Sequence, residues 1–178
     1  NPGLFWPDTF CQALAEQGFH VIRYDHRDTG RSSTVDFTRY PYTLDDLAHD
    51  ALAVLDGWGL ARVSVMGLSM GGYVAQILAS RFPDRVDRLI LMSTTADHRP
   101  YMAATAGGSL DPGPDSRTLP PPATSFSDWV AQAARAVPRT RAERLQLMLD
   151  GWRVTHGGSA PFDEAAMRVL VTAADRQV

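Results

Sequence analysis

The chain has 178 residues, a formal net charge of −3, 44% hydrophobic residues and 21% charged residues. That is the balance of one soluble globular domain long enough to bury a core. No basic stripe points to nucleic acid as a partner, and no apolar run approaches the roughly 20 residues of a membrane span. The single cysteine, Cys11, excludes an internal disulfide and is compatible with a reducing, cytoplasmic setting. It stands at an apolar position of the first expected helix, where a buried structural thiol is the reading. The sequence opens on Asn1, so the lack of a visible signal peptide carries little weight. All 17 basic residues are arginine. Without lysine the chain has no Ser–Lys dyad, no Schiff-base lysine and no P-loop lysine. Its five histidines, His20, His26, His49, His98 and His156, show no ligand spacing, so neither a metal nor a cofactor is expected.

In chain order, residues 7–18 read as a helix: Pro7 suits the first turn, Phe10, Ala13 and Leu14 share a face, and Gly18 stops it. Residues 19–24 read as a parallel strand, and 25–33 as a polar, glycine-containing turn. Thr43 and Asp46 form a capping-box pattern ahead of a helix carrying Leu44, Leu47, Ala51, Val54 and Leu55, which ends at Gly57 and Gly59. Residues 62–66 read as a short buried strand, 72–79 as a helix with an apolar face, and 89–92 as a further strand. Helix–strand alternation with short connections gives an α/β fold with a doubly wound parallel sheet. After Ser93 the pattern changes. Residues 107–124 are rich in Gly and Pro and read as a connector. Three helices without strands follow, at 125–137, 140–152 (with a Thr140/Glu143 capping box) and 163–174. The expected organisation is a partial sheet-bearing core over residues 1–96 and a helical cap or lid region over 97–178. The alternative for the latter is a plain helical extension. A lid is favoured because a reactive site of the kind described next excludes water.

Gly67-Leu68-Ser69-Met70-Gly71 lies between the strand at 62–66 and the helix at 72–79. Strand, sharp turn with a serine at its tip, then helix is the geometry of a nucleophile elbow. The glycines on either side suit a turn too tight for side chains, with the serine backbone held strained. Such a turn lifts the Ser69 hydroxyl above the sheet and aims the Met70 N–H, at a helix N-terminus, at a developing oxyanion. A dinucleotide-binding loop is the rival reading. It needs glycine where Ser69 stands and an acidic residue at the end of the next strand. Asp84 and Asp87 come before that strand, so this rival is rejected.

The run Tyr24-Asp25-His26-Arg27-Asp28-Thr29-Gly30-Arg31-Ser32, downstream of Trp6-Pro7-Asp8 and upstream of the Gly-Leu-Ser-Met-Gly elbow, resembles the α/β-hydrolase superfamily. Within it the chain looks most like the aclacinomycin methylesterase group. His20-Val21-Ile22-Arg23, Leu55-Asp56-Gly57-Trp58-Gly59 and Pro161-Phe162-Asp163 also fit that group. The resemblance implies an α/β-hydrolase-type sheet with a helical cap insertion. It implies that Ser69 is the nucleophile and the Met70 N–H one oxyanion donor, with a second donor at or just upstream of Asn1. It makes the loop holding Arg27 and Gly30 structural.

The resemblance also implies a chain order of serine, acid, then histidine beyond the cap. His98 and His156 are the histidines after Ser69, and both come at the wrong stage. The catalytic histidine is therefore expected outside this chain. Asp97, just past the strand ending near Ser93, is a candidate acid, although a polar loop residue is usually only solvated. A strand that the family places between residues 19–24 and the elbow strand is missing, so the sheet is expected to be incomplete and the chain an internal segment of a larger hydrolase. The elbow strand should pair in parallel with the strand at 89–92. The activity expected of the intact protein is that of a serine hydrolase cleaving an ester through an acyl-enzyme, a carboxylesterase or methylesterase with a small hydrophobic substrate and no cofactor, and the 178 residues alone are expected to be inactive. Amide, lactone and carbon–carbon hydrolysis and perhydrolysis share the elbow. The alternative is a catalytically incomplete hydrolase-fold segment or binding module lacking the histidine and acid of the triad.

Overall fold

The structure, a computed structural model, describes residues 3–100 and 122–175. In order, it contains a 3-10 turn (Gly3–Phe5), α1 (Asp8–Glu16), α2 (Leu44–Gly57), β1 (Val63–Leu68), α3 (Met70–Arg81), a second 3-10 turn (Pro83–Arg85), β2 (Val86–Met92), α4 (Thr124–Ala133), α5 (Arg141–Thr155) and α6 (Glu164–Asp175). The chain divides into two units. One comprises residues 26–98, and the other joins 1–25 to 99–178.

The unit of residues 26–98 is a small parallel α/β layer. Its helix α2 starts at the expected capping box: the Asp46 N–H donates to Thr43 Oγ1 at 3.4 Å, and the Thr43 N–H donates to the Asp46 carboxylate at 2.7 Å. The Thr43 N–H, with the Thr43 hydroxyl donating to the same carboxylate at 2.8 Å, holds the Asp46 carboxyl below the usual range. The heptad-like face Leu47, Ala48, Ala51, Leu52 and Leu55 is buried and packs toward α3, which in turn covers both strands. Val74, Ala75 and Leu78 form the buried face of α3. The strands pair in parallel, with Val65 opposite Leu89, Met66 opposite Ile90, Gly67 opposite Leu91 and Leu68 opposite Met92, and an irregularity between Val63 and Val65. This is the pairing expected from the sequence. Successive residues Leu89, Ile90, Leu91 and Met92 are all exposed, from 37% to 43%. Side chains alternate across a sheet, so neither face of β2 is fully covered.

The loop between residues 26 and 42 is fixed by charge. Arg27 grips Asp50 of α2 through two parallel bonds of 2.6 Å and lies 5.0 Å over the Tyr42 ring. Asp28, with φ of 60°, accepts the Val35 N–H at 2.5 Å. That bond, with one from the Tyr42 hydroxyl, holds the Asp28 carboxyl below its usual range, and the Tyr42–Asp28 bond pushes the Tyr42 phenol up. These residues fix the turn, as the sequence reading has it.

Residues 19–24 depart from expectation. They belong to no strand, and the sheet among the described residues consists of β1 and β2 alone. A segment becomes a strand only by ladder pairing, which local hydrophobicity cannot supply. Likewise α1 buries none of its residues and Cys11 is half-buried, so its apolar face is not a core face here. The Gly3 N–H donates to Asp25 at 2.6 Å, and Arg23 bonds both the Trp6 carbonyl and the Asp8 carboxylate.

In the unit that joins 1–25 to 99–178, α5 packs against α4 and α6, and α6 against the Gly3–Phe5 turn. Leu149 and Val171 are fully buried at its centre. Trp129 lies on Gly151 so closely that a Cβ there would stand 2.6 Å from the indole, and Phe5 meets Trp152 with ring centroids 5.5 Å apart. The Thr140/Glu143 capping box is present, with bonds of 3.2 and 3.1 Å. The three expected helices are found with shifted ends. Of the expected connector at 107–124, residues 107–121 lie outside the described residues. No helix among the described residues is long and apolar enough to cross a membrane.

Asp175, whose side chain is only 7% exposed, closes α6 onto α5 by accepting from Arg141 at 2.7 Å and Arg144 at 3.3 Å. The Arg141 bond above all holds its carboxyl below the ordinary range. A carboxyl depressed on folding adds stability above its unfolded pKa of about 3.9, and that stability is lost as pH falls through the folded value. Asp175→Asn should therefore lower stability at neutral pH and flatten the acid-induced loss that begins near pH 4. Urea unfolding at pH 7, 4 and 3 measures this. A wild-type-like acid slope in the variant would contradict it.

Candidate active site

The junction of β1 and α3 is where sequence, strain and packing coincide. Val63 and Val65 favour a pleated strand, and the strand runs through Gly67 and Leu68. At Ser69 the backbone turns to φ 51° and ψ −118°, and α3 begins at the next residue. A non-glycine residue with positive φ is costly and persists only where its surroundings over-determine it. Here two backbone bonds do so: the Ser69 N–H donates to the Met92 carbonyl at the end of β2, and the Gly72 N–H donates to the Ser69 carbonyl, each at 2.9 Å. The Ser69 side chain is exposed, and Met70 is 39% exposed. Met70 is the first residue of α3, where backbone N–H groups have no intrahelical acceptor and the helix dipole is positive.

The glycines do different work from that expected. A Cβ on Gly67 would lie 2.4 Å from the Gly71 carbonyl oxygen and 2.7 Å from Gly72 Cα, so the strand and the helix can meet only through glycine. At Gly71 a Cβ would meet nothing within 4 Å. The second close approach is at Gly72, where a Cβ would lie 2.5 Å from the Thr94 methyl. The tight-turn argument therefore holds at Gly67 and is displaced from Gly71 to Gly72, because the helix backbone turns Gly71 away from the sheet.

Ser69, Met70, Asp97 and His98 all fall within the unit of residues 26–98. Asp97 lies five residues beyond β2, in the segment that follows the strand next to the elbow strand. Its backbone carbonyl accepts from Thr95 Oγ1 at 2.7 Å. His98 stands edge-on to Tyr73 of α3, with centroids 5.6 Å apart. His49 pairs its Nδ1 with the Asp45 carbonyl on α2 at 2.8 Å. His156, in the other unit, pairs its Nε2 with the Ala160 carbonyl at 2.8 Å. Among the described residues no group of three or more His, Cys, Asp or Glu side chains is placed to hold a metal ion. Ser93, Thr94, Thr95 and Gln76 also shape this end of the sheet and were not legible as site residues. The doubled glycine at 71–72 was the available signal for a close neighbour.

The chain matches the family model described as alpha/beta hydrolase fold over residues 1–146. It is 40% identical over 163 residues to rhodomycin D methylesterase DnrP of Streptomyces peucetius, and equally to rhodomycin D methylesterase DauP of Streptomyces sp. strain C5. Each match covers 92% of this chain and 54% of the relative. A solved hydrolase from Pseudomonas aeruginosa PA01 superposes with a TM-score of 0.58 at 28% identity, covering 99% of this chain and 56% of that one. The chain thus spans about half the length of the curated relatives it matches.

The Gly67 and Gly71 geometries give opposite expectations for one added methyl group. Gly67→Ala should destabilise by about 3 kcal/mol or more, because the clash is with backbone. Gly71→Ala should be neutral or stabilising by up to about 1 kcal/mol, since alanine is the better helix residue. Chemical denaturation of the two variants measures both, and equal losses would contradict the assignment.

Proposed function

This chain belongs to the α/β-hydrolase fold family, and from that premise we propose that it carries the nucleophile of a serine esterase. The observation that carries the reading is the strained Ser69, exposed at the carboxyl end of β1 and at the head of α3. In this reading Ser69 Oγ attacks the ester carbonyl while a histidine base takes its proton. The carbonyl oxygen becomes an oxyanion and accepts from the Met70 N–H, and the alcohol leaves with the proton returned by the base. Water then hydrolyses the acyl-enzyme by the same two steps. One oxyanion donor of this kind is worth about 2.7–4 kcal/mol of transition-state stabilisation. The base is assigned to none of the chain's histidines, and Asp97 is the candidate acid.

The substrate class is proposed from the relatives. Two methylesterases at 40% identity support a methyl or other small-alcohol ester of a hydrophobic acid. Residues 97–178 are read in this proposal as a cap or lid region, since a reaction of this kind is served by a lid that excludes water. The single cysteine supports a cytoplasmic reaction. No metal or cofactor takes part in this scheme.

In any preparation of the protein that turns over an ester, Ser69→Ala should lower kcat/KM on the order of a thousandfold or more, with the circular dichroism spectrum unchanged. Steady-state hydrolysis of a hydrophobic methyl ester and of p-nitrophenyl butyrate measures it. Retention of most of the activity would remove Ser69 from the nucleophile's role.

A further inference from the structure

The segment following β2 is bound to the helix behind the elbow by side chains that nothing above has assigned to the reaction. Ser93 sits at φ 47°, a left-handed conformation that needs support from its surroundings. Thr94 packs its methyl on Gly72, where only glycine leaves room. The next residue, Thr95, is held twice. Gln76 Nε2 donates to the Thr95 carbonyl at 2.9 Å and to the Gly72 carbonyl at 3.2 Å. Both neighbours are carbonyl oxygens, so the amide nitrogen must be the atom that faces them. Tyr73 Oη lies 3.1 Å from Thr95 Oγ1, and Thr95 Oγ1 donates to the Asp97 carbonyl at 2.7 Å. A threonine hydroxyl has one proton. With that proton on Asp97, the Tyr73 hydroxyl is the donor to Thr95. The bonds run in one direction, from helix to hydroxyl to loop.

This arrangement has a direct link to Ser69. The carbonyl that accepts the Ser69 N–H belongs to Met92, three residues before Thr95. Between them lies the left-handed Ser93. If Thr95 is released from α3, Ser93 can relax toward an ordinary conformation, and the Met92 carbonyl then swings away from the serine amide. Gln76 stands seven residues after Ser69, two turns along the same helix. It therefore ties the far end of the clamp to the element the serine starts.

We propose that Gln76, assisted by Tyr73, is a positioning residue for Ser69: by fastening Thr95 to α3 it fixes the strained turn at Ser93 and so holds the Met92 carbonyl on the Ser69 amide. The part concerning reactivity rests on Ser69 being the nucleophile, whereas the part concerning geometry does not. The Gln76 side chain touches no reacting atom in this account. Its effect is on where the Ser69 hydroxyl and the Met70 N–H point, and an error of about 1 Å there is worth up to about a hundredfold in rate.

The test uses two readouts on the full chain. Amide hydrogen exchange at Ser69, corrected for intrinsic rate, reads the clamp directly. In Gln76→Leu the Ser69 protection factor should fall at least about tenfold while the amides in the middle of α2 keep theirs. Tyr73→Phe should produce a smaller fall, since it removes one of the two attachments. Gln76→Glu adds a pH signature. Its carboxylate has no proton to donate to two carbonyls, so Ser69 protection should be low at pH 7. It should recover as the group takes up a proton at acidic pH, at or above its ordinary value of about 4.3. Packing alone would not produce that profile. The second readout is the rate of Ser69 phosphonylation by a fluorophosphonate, expected to fall about ten- to a hundredfold in Gln76→Leu. Unchanged Ser69 protection in that variant overturns the proposal. Loss of protection with an undiminished rate at a serine that wild type does label overturns the positioning role. A Ser69 that never reacts in a preparation that turns over an ester overturns the esterase reading instead, and the exchange data still decide the clamp.

Discussion

The backbone strain at Ser69 is the constraint on which the rest of this unit depends. A serine at φ 51° is not held by its own preferences. It is held because β1 and α3 meet too closely for any other path. Gly67 lets the strand run under the Gly71 carbonyl, Gly72 admits Thr94, and Met92 offers its carbonyl to the serine amide. Each condition places a demand on a different element. The parallel register of Leu68 against Met92 brings the two strand ends level, and the buried face of α3 fixes the helix that follows. A shift of one residue in that register would turn every β2 side chain over and move the Met92 carbonyl from its partner. The functional geometry is therefore a property of the sheet and helix together, not of the five-residue motif.

Arginine does the remaining work of joining elements, and its chemistry suits the task. Arg85 bonds Asp56 at 2.7 Å, the Ala61 carbonyl at 2.8 Å and the Leu60 carbonyl at 3.0 Å. One planar fork thus ties the end of α2, the connection into β1 and the turn before β2. Arg27 does the same for the long loop through its paired bonds to Asp50. A lysine at either place would supply a point charge without the fork. The isolated surface pairs, such as Arg81 with Asp45, are worth little by comparison, since both side chains are well exposed.

Much of this was legible because it is written in local chemistry. The capping boxes at Thr43/Asp46 and Thr140/Glu143 are complete in four residues and form as read. The pairing of β1 with β2 follows from two apolar runs flanking a helix. Residues 19–24 show the limit. Their composition is that of a strand, but strand formation is decided by a neighbour, and no periodicity reveals whether one is there. The apolar face of α1 failed for the same reason. At the site, Ser69 and Gly67 were legible from the motif. The open space at Gly71 and the contact at Gly72 were not, because the direction of a Cβ depends on the helix path. The strained Ser93 and the Gln76 bonds lie outside any motif, since they connect residues about 20 positions apart through backbone carbonyls.

The proposed esterase chemistry stands on a covalent bond between Ser69 and the acyl group of an ester, and a quenched reaction detects that bond. Mixing the protein with a p-nitrophenyl ester of a bulky acid, quenching in acid within the first turnover and digesting with trypsin isolates the serine cleanly. With arginine as the chain's only basic residue type, residues 63–81 come off as one peptide. This peptide should gain the mass of the acyl group, fragmentation should place the gain on Ser69 and not on Ser64 or Ser80, and Ser69→Ala should abolish it. Turnover accompanied by an acyl group on a different residue, or undiminished in Ser69→Ala, would contradict it.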